Sequence, residues 1–441
     1  MNPTHPPHLT IQPIKAFRAS VCPPGSKSLT NRGLILATLA EGQTTLRGVL
    51  FSDDTRVMLA GLKSLGVGLE IDQASRTVKV QGTGGQLKAS PCRIDLGNSG
   101  TSMRFMTALL CLGQHEGITL DGIERMRHRP IDALVDALVA LGGKISYEQD
   151  SLCPPLTIDG TGLRGGELRM DPAMSSQYIT AVLQVGPYMS EALALRFDGD
   201  VISKPYIEMT AALMKRFGGE VEIADDFSQI TVQPGVYRGI DYTVEPDASN
   251  ASYFLAAAMV VPGSTCTIEH LGRSSLQGDV KFADVLHQMG ATLLFGDDFV
   301  TVMSPKDGQR LRGIDICLND MPDMAQTLAV IALFAQGQTV IRNIGNLRIK
   351  ETDRLAAIEC ELSKLGAEVW VEGDDLYITP PGEGQITPAA IDTYDDHRMA
   401  MCFAVVGLGA GGITINDPGC VNKTFPEFFD YLNQLACFEL N

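Results

Sequence analysis

The feature that most limits what this chain can fold into is a sixfold internal repeat of about 73 residues. Apolar segments that end at a glycine and lead into a short strand recur as LILATLAEG, LLCLG, AVLQVG, AAAMVVPG, IALFAQG and VVGLGAGG. They close at Gly42, Gly113, Gly186, Gly263, Gly337 and Gly411, at intervals of 71 to 77 residues. A second series, VMLAGLKSLG, DALVALG, ALMKRFG, VLHQMG, CELSKLG and YLNQLA, keeps the same rhythm. It closes at Gly66, Gly142, Gly218, Gly290, Gly366 and Ala436, 70 to 76 residues apart. β-branched runs such as TVKVQG, LTIDG, QITVQPG, VTVMSP and LYITPPG accompany the two series, so each unit reads as two helices and several strands.

The first helix of each unit is apolar nearly all round (RFMTALLCLG, SYFLAAAMVV, TLAVIALFA), which requires burial, whereas the second is amphipathic. The expected fold class is therefore α/β: two inverted, inside-out barrel-like domains of three repeats each, with buried helices and sheets outside them. The sixth copy begins near Asp395 and has 47 residues. The strand-turn-strand pattern of LTIQPIKAFRASVCPPG, within residues 1–25, supplies what it lacks, so the N-terminus completes the last repeat. Grouping the repeats by threes gives one domain over 26–246 and another over 1–25 plus 247–441. The crossovers fall near 24–25 and 245–246, a hinge-like arrangement.

A formal charge of −17 argues against nucleic-acid binding, because an acidic surface repels phosphate backbones. An anionic ligand must instead be held by a local basic pocket. The ten cysteines form no CxxC pair and the seven histidines no HxxxH pattern, so neither a disulfide framework nor a metal site is expected. The start, MNPTHPPHLT, has no basic-then-apolar leader, and no segment offers 18 uncharged apolar residues. The expectation is a cytoplasmic protein without membrane contact.

Each buried helix is preceded by a small polar cluster: Ser26-Lys27-Ser28, Asn98-Ser99-Gly100-Thr101, Ser175-Ser176-Gln177, Asp247-Ala248-Ser249-Asn250, Asp320-Met321-Pro322-Asp323 and Asp395-Asp396-His397-Arg398. Such residues cap helices. Capping leaves Lys27, Arg32, Arg104 and Arg398 unexplained, since the macrodipole opposes a cation at a helix N-terminus unless an anion rests on those amides. The charged loops before the second helices add Asp53 to Arg56, Arg125 to Pro130, Ser203 to Tyr206, Gln277 to Asp279, Arg348 to Arg354 and Asn422 to Thr424. Arg and Lys recurring at equivalent repeat positions concentrate positive potential suited to phosphate and carboxylate groups. A nucleotide loop is excluded, because GxxxxGK[ST] would need glycine where Ser26 and Val21 stand. Asp323, Glu351, Lys27 and His397 are the candidates for acid–base work. In KETDR, Glu351 and Asp353 read equally well as first-turn carboxylates of a helix.

Taken together, the ordered strings PGSKSxxNR, GNxGTxMR, RPxxxL, SSQ, SKPYI, DASxASYF, the Pro322-Asp323 pair, RxKETDR, DHRMAMCF and KTFPxFF resemble the 5-enolpyruvylshikimate-3-phosphate synthase family over nearly the whole chain. The resemblance implies transfer of the enolpyruvyl group of phosphoenolpyruvate to the 5-hydroxyl of shikimate 3-phosphate, with no metal or cofactor. It places Lys27, Gly100, Arg129, Gln177, Arg354, Arg398 and Lys423 around phosphoenolpyruvate. Lys27, Ser28, Arg32, Ser175, Ser176, Gln177, Ser203, Tyr206, Asp323, Asn346 and Lys350 would hold shikimate 3-phosphate, with Asn98, Thr101, Glu351 and His397 close by. Asp323, Glu351 and Lys27 would share the proton transfers. A monomer sensitive to the family's inhibitor glyphosate is implied. Phe105 stands where many relatives have proline, and Ser99 and Ser102 where alanine is usual, which bears on the degree of that sensitivity. The related transferase acting on UDP-N-acetylglucosamine would call for cysteine at Glu124 and asparagine at Ser28. A non-catalytic anion-binding repeat protein would not need Asp323, Glu351 and Lys27 together.

Overall fold

A computed structural model describes residues 5–149, 151–172, 175–305, 309–382 and 385–440. The chain forms two compact units, Gly25–Val244 on one side and the segment up to Pro24 with residues from Glu245 onward on the other. Gly25, Glu245 and Pro246 thus each fall in the other domain from the one to which the repeat count assigned them, the last two with a clear cause. The reason is local: the Glu245 carboxylate accepts hydrogen bonds from Ser275 Oγ at 2.6 Å, from the Leu276 amide and from Gln277 Nε2.

Within Gly25–Val244 the apolar segments form the helices Lys27–Leu39, Gly100–Leu110 and Ser176–Val185, and every residue of the second is buried. A helix satisfies its backbone internally, so an apolar one can be surrounded by protein on all sides. The amphipathic helices Asp53–Ser64, Asp132–Ala140 and Lys204–Arg216 alternate with them and bury one face each.

Three four-stranded sheets share one plan. In the second, Arg93–Asp95 lies parallel to His115–Asp121, which pairs antiparallel with Leu156–Gly160, and Lys144–Tyr147 closes the hairpin. Each repeat hands its last strand to the next sheet. The third hands Asp241–Thr243 back to the first, where Asp241 lies opposite Thr45 in a parallel pairing. Three repeats thereby close into a cycle, while the sheets remain separate instead of fusing into a continuous barrel wall.

The other unit repeats the plan around Ala248–Val260, Ala325–Ala332 and His397–Ala410. The N-terminal segment is divided between two of its sheets. His8–Ile11 runs antiparallel to Ile413–Asn416 in the sixth sheet, and Arg18–Val21 runs parallel to Thr265–Glu269 in the fourth. The sixth sheet has three strands among the described residues, because the last copy lacks the hairpin strand present in the others. The N-terminus therefore completes the last repeat in part and uses its second strand to close the cycle. The closing glycines of the second series behave as helix stops with left-handed backbone directly after the C-cap, as at Gly66 (φ 80°) and Gly366 (φ 92°). In the first series Gly42 lies two residues past the extended C-cap Ala40, and Gly186 keeps right-handed geometry and runs into the 3-10 turn Gly186–Tyr188, where Pro187 sets the bend.

Candidate active site

In Gly25–Val244 the polar clusters lie at the N-termini of the three buried helices, and side chains link them into a ring. Ser26, Ser99 and Ser175 cap those helices by accepting from the amides of Leu29, Ser102 and Gln177. Lys27 Nζ lies 3.3 Å from Asp54 Oδ2, and the Asp54 carbonyl accepts from Ser99 Oγ and Ser102 Oγ, joining the first helix to the second. Asp54 thus offsets a charge that the helix dipole would otherwise oppose.

Arg129, 5% exposed, crosses the start of the second helix and donates from Nη1 to the carbonyl and side-chain oxygens of Asn98. Gly100 makes room for it, since a Cβ there would meet Arg129 Nη2 at 2.7 Å. Arg104 donates to the Gly100 and Pro130 carbonyls, and Pro130 also accepts from Tyr178 Oη at 2.6 Å, which reaches the third helix. Arg104 is therefore a tie within the scaffold. Arg127 is likewise held, by Asp121 at 2.8 Å, whereas Arg129 of the same loop is laid against the helix start.

Arg32 completes the ring. Its Nε donates to Thr210 Oγ1 at 2.8 Å, Nη1 to the Ser28 carbonyl, and Nη2 to Thr180 Oγ1 and the Tyr206 carbonyl. All four acceptors are neutral. Burial without a carboxylate pushes the guanidinium down to about 9, still charged at neutral pH. Ser28, Ser176, Gln177 and Thr101 lie in the first turns of their helices. Ser203 takes the left-handed conformation (φ 56°) before Lys204–Arg216, and its carbonyl accepts from the Tyr206 amide.

The other unit gathers the acid–base candidates on one guanidinium. Arg354, 1% exposed, donates from Nε to Asp396 Oδ2 at 2.7 Å, from Nη2 to Glu351 Oε2 at 2.8 Å and from Nη1 to Asp323 Oδ1 at 3.2 Å. Burial alone would lower its affinity for a proton, but Asp396, Glu351 and Asp323 outweigh that and hold it above the ordinary arginine value. Arg398 donates to Asp323 Oδ2 at 2.8 Å and to the hydroxyl of Tyr253, whose proton is retained by burial. Lys350 lies 3.9 Å from Asp323, Lys423 3.8 Å from Glu351, and buried His397 has Nδ1 3.6 Å from Asp396. Asn346 sits on the adjoining 3-10 turn Gly345–Ile349 without a hydrogen bond to this cluster, its Oδ1 buried.

The local sequence explains the placement. In KETDR, Asp353 caps the helix Arg354–Lys364 by accepting from the Ala356 amide, which leaves Glu351 one turn earlier to face Arg354. Asp323 lies in the 3-10 turn Pro322–Met324, so its carboxylate caps no helix. Asp396 caps the helix His397–Ala410 through the Arg398 amide while its carboxylate also grips Arg354. Sequence reasoning saw Asp396 only as a cap, Asp54 only as loop charge and Tyr253 only as apolar helix. The available signal was a surplus of acids beside buried-helix cations, since buried charges require partners.

Fold and side chains define an α/β repeat enzyme whose buried cations and paired carboxylates suit proton transfer on small anionic substrates. A family description, EPSP synthase (3-phosphoshikimate 1-carboxyvinyltransferase), matches residues 11–432. A 3-phosphoshikimate 1-carboxyvinyltransferase of Shewanella pealeana is 48% identical, covering 97% of this chain and 99% of its own. That of Vibrio campbellii is 47% identical over the same shares. An EPSP synthase structure from Acinetobacter baumannii superposes with a TM-score of 0.80 at 26% identity, covering 97% of this chain and 98% of that one. The chain belongs to the EPSP synthase family and is an enzyme of the carboxyvinyltransferase class.

Proposed function

We propose that the chain transfers the enolpyruvyl group of phosphoenolpyruvate to the 5-hydroxyl of shikimate 3-phosphate, with Asp323, Glu351 and Lys27 handling the protons. A proton delivered to the methylene carbon leaves an oxocarbenium-like C2, which the hydroxyl oxygen attacks as it loses its own proton. The tetrahedral intermediate then breaks its bond to phosphate and returns a methyl proton, restoring the enol ether. Asp323 is the base toward the hydroxyl. Glu351 serves the methylene carbon, and Lys27 partners the departing phosphate. A positioned acid or base contributes roughly 10²- to 10⁴-fold.

The observation that carries this reading is that Asp323 and Glu351 share Arg354 while cations flank both carboxylates. Guanidiniums in pairs bind carboxylate and phosphate well. Arg354, Arg398, Lys423, Arg129, Lys27 and Gln177, with the space at Gly100, take phosphoenolpyruvate. Ser28, Arg32, Ser175, Ser176, Gln177, Ser203, Tyr206, Asn346, Lys350, Asp323 and Lys27 take shikimate 3-phosphate, while Asn98, Thr101 and His397 lie alongside. Glyphosate is the expected competitor on the Gly100 side. The protein works as a monomer in the cytoplasm. No helix among the described residues is long and apolar enough to cross a membrane.

The test is a coupled phosphate-release assay. Release that depends on both substrates together supports the reading, whereas titration by shikimate 3-phosphate without release would leave a binding protein and sink it.

A further inference from the structure

Phe105 lies on the second buried helix, 1% exposed, and the guanidinium of Arg32 rests over its ring with Cζ 5.4 Å from the centroid. Arg32 comes from the first buried helix and is itself 3% exposed. Its hydrogen bonds lie in the guanidinium plane and run to Thr210, Thr180 and two carbonyls, so none of them supplies countercharge. Four of its five N–H groups are used, which leaves one on Nη1. The ring offers what these oxygens do not, an electron-rich face that attracts the cation from outside its hydrogen-bonding partners. Because both partners are dry, the attraction is little screened.

We propose that Phe105 is a positioning residue for shikimate 3-phosphate: its ring holds Arg32 in the plane from which the guanidinium receives an anionic group of that substrate. This rests on the assignment of Arg32 to shikimate 3-phosphate. It gives Phe105 a role separate from Gly100 and Arg129, although Phe105 and Gly100 lie on one helix. A side chain of similar volume without a π face would fill the space and remove that attraction, leaving the hydrogen bonds alone to hold the guanidinium. A phenol would keep the face.

The experiment compares Phe105→Leu, Phe105→Met, Phe105→Tyr and Arg32→Lys by steady-state kinetics in each substrate, with thermal melts as the folding control. Phe105→Leu is expected to raise KM for shikimate 3-phosphate roughly tenfold at unchanged kcat and unchanged KM for phosphoenolpyruvate. Phe105→Met should do the same, and it carries the test if Phe105→Leu does not fold. Phe105→Tyr should stay within about twofold of the parent, as an aromatic face is preserved. An equal or larger rise in KM for phosphoenolpyruvate would show action through Gly100 and overturn the inference, as would parent-like kinetics in both Phe105→Leu and Phe105→Met. If Arg32→Lys raises KM for shikimate 3-phosphate and the two apolar variants do not, Arg32 keeps its role and only Phe105 loses its own. If Arg32→Lys leaves that KM unchanged, the assignment of Arg32 fails first.

Discussion

Arg354 lays the edge of its guanidinium against Asp396, with Nε 2.7 Å from Oδ2 and Nη2 3.3 Å from Oδ1, and neither side chain reaches solvent appreciably. A planar cation gripped along one edge has its remaining N–H groups aimed, and here they are aimed at Glu351 and Asp323. Asp396 thereby sets the orientation of both proton-transfer candidates through one intermediary.

Asp396→Asn separates this role from capping, because asparagine caps a helix about as well as aspartate. The charge opposite a buried guanidinium is lost, which costs about 3 kcal/mol. With Arg354 released toward Glu351 and Asp323, turnover should fall roughly 100-fold, in keeping with misplacement of about 1 Å. Denaturant titration and steady-state kinetics on the same preparation check both figures. A stable, fully active variant would refute the orienting role.

Glu351→Gln keeps the shape of the side chain and a hydrogen-bond acceptor for Arg354, but cannot deliver a carboxylic proton. Turnover should drop by roughly 10²- to 10⁴-fold while shikimate 3-phosphate still binds. Calorimetric titration beside a single-turnover assay distinguishes lost chemistry from lost binding. Near-normal turnover would remove Glu351 from the acid–base set.

Gly100→Ala introduces a Cβ that would lie 2.7 Å from Arg129 Nη2 and 3.0 Å from Cζ. The guanidinium is the far end of a flexible side chain, so it shifts and the helix stays. The expected result is a rise in KM for phosphoenolpyruvate of roughly tenfold or more, about 1.4 kcal/mol, with little change in melting temperature. A loss of stability without a change in KM would point to packing alone.

Asp121 gives a pH signature. Burial by itself would raise its carboxyl, but hydrogen bonds from Arg127 and then Arg93 outweigh burial and hold it far below the usual carboxylate range. A carboxyl whose folded value is depressed contributes stability above its unfolded value, near pH 4, and loses it as pH falls toward the folded value. Asp121→Asn should therefore destabilise the protein by about 2 kcal/mol at pH 7, with the difference shrinking below about pH 4. Melting curves of parent and variant across pH 2.5 to about 7 check the sign; a constant gap would exclude the ionic origin.

Much of the architecture was legible because a sixfold spacing repeats the same local physics. The all-round apolar segments could only be interior helices, and Gly66 and Gly366 stop helices as their positions implied. The division of labour within charged runs was not legible. KETDR does not reveal that Asp353 caps a helix while Glu351 faces Arg354, because the run does not show that the helix starts at Arg354. Nor does RMRHRP reveal that Asp121 holds Arg127 while Arg129 lies against Gly100, since both deciding partners lie outside the run and Gly100 is remote from it in sequence.

By itself, then, the sequence determined the repeat, the burial of one helix in each copy, and the motifs that place the chain among its relatives. These depend on periodicity and residue type, which are local. Tertiary structure alone decided that Asp241–Thr243 closes one cycle of repeats and Arg18–Val21 the other. It alone set Asp396 against Arg354 and Phe105 beneath Arg32. Strand pairing, ion pairs and ring contacts join residues that the chain separates, and only the folded packing brings their atoms within reach.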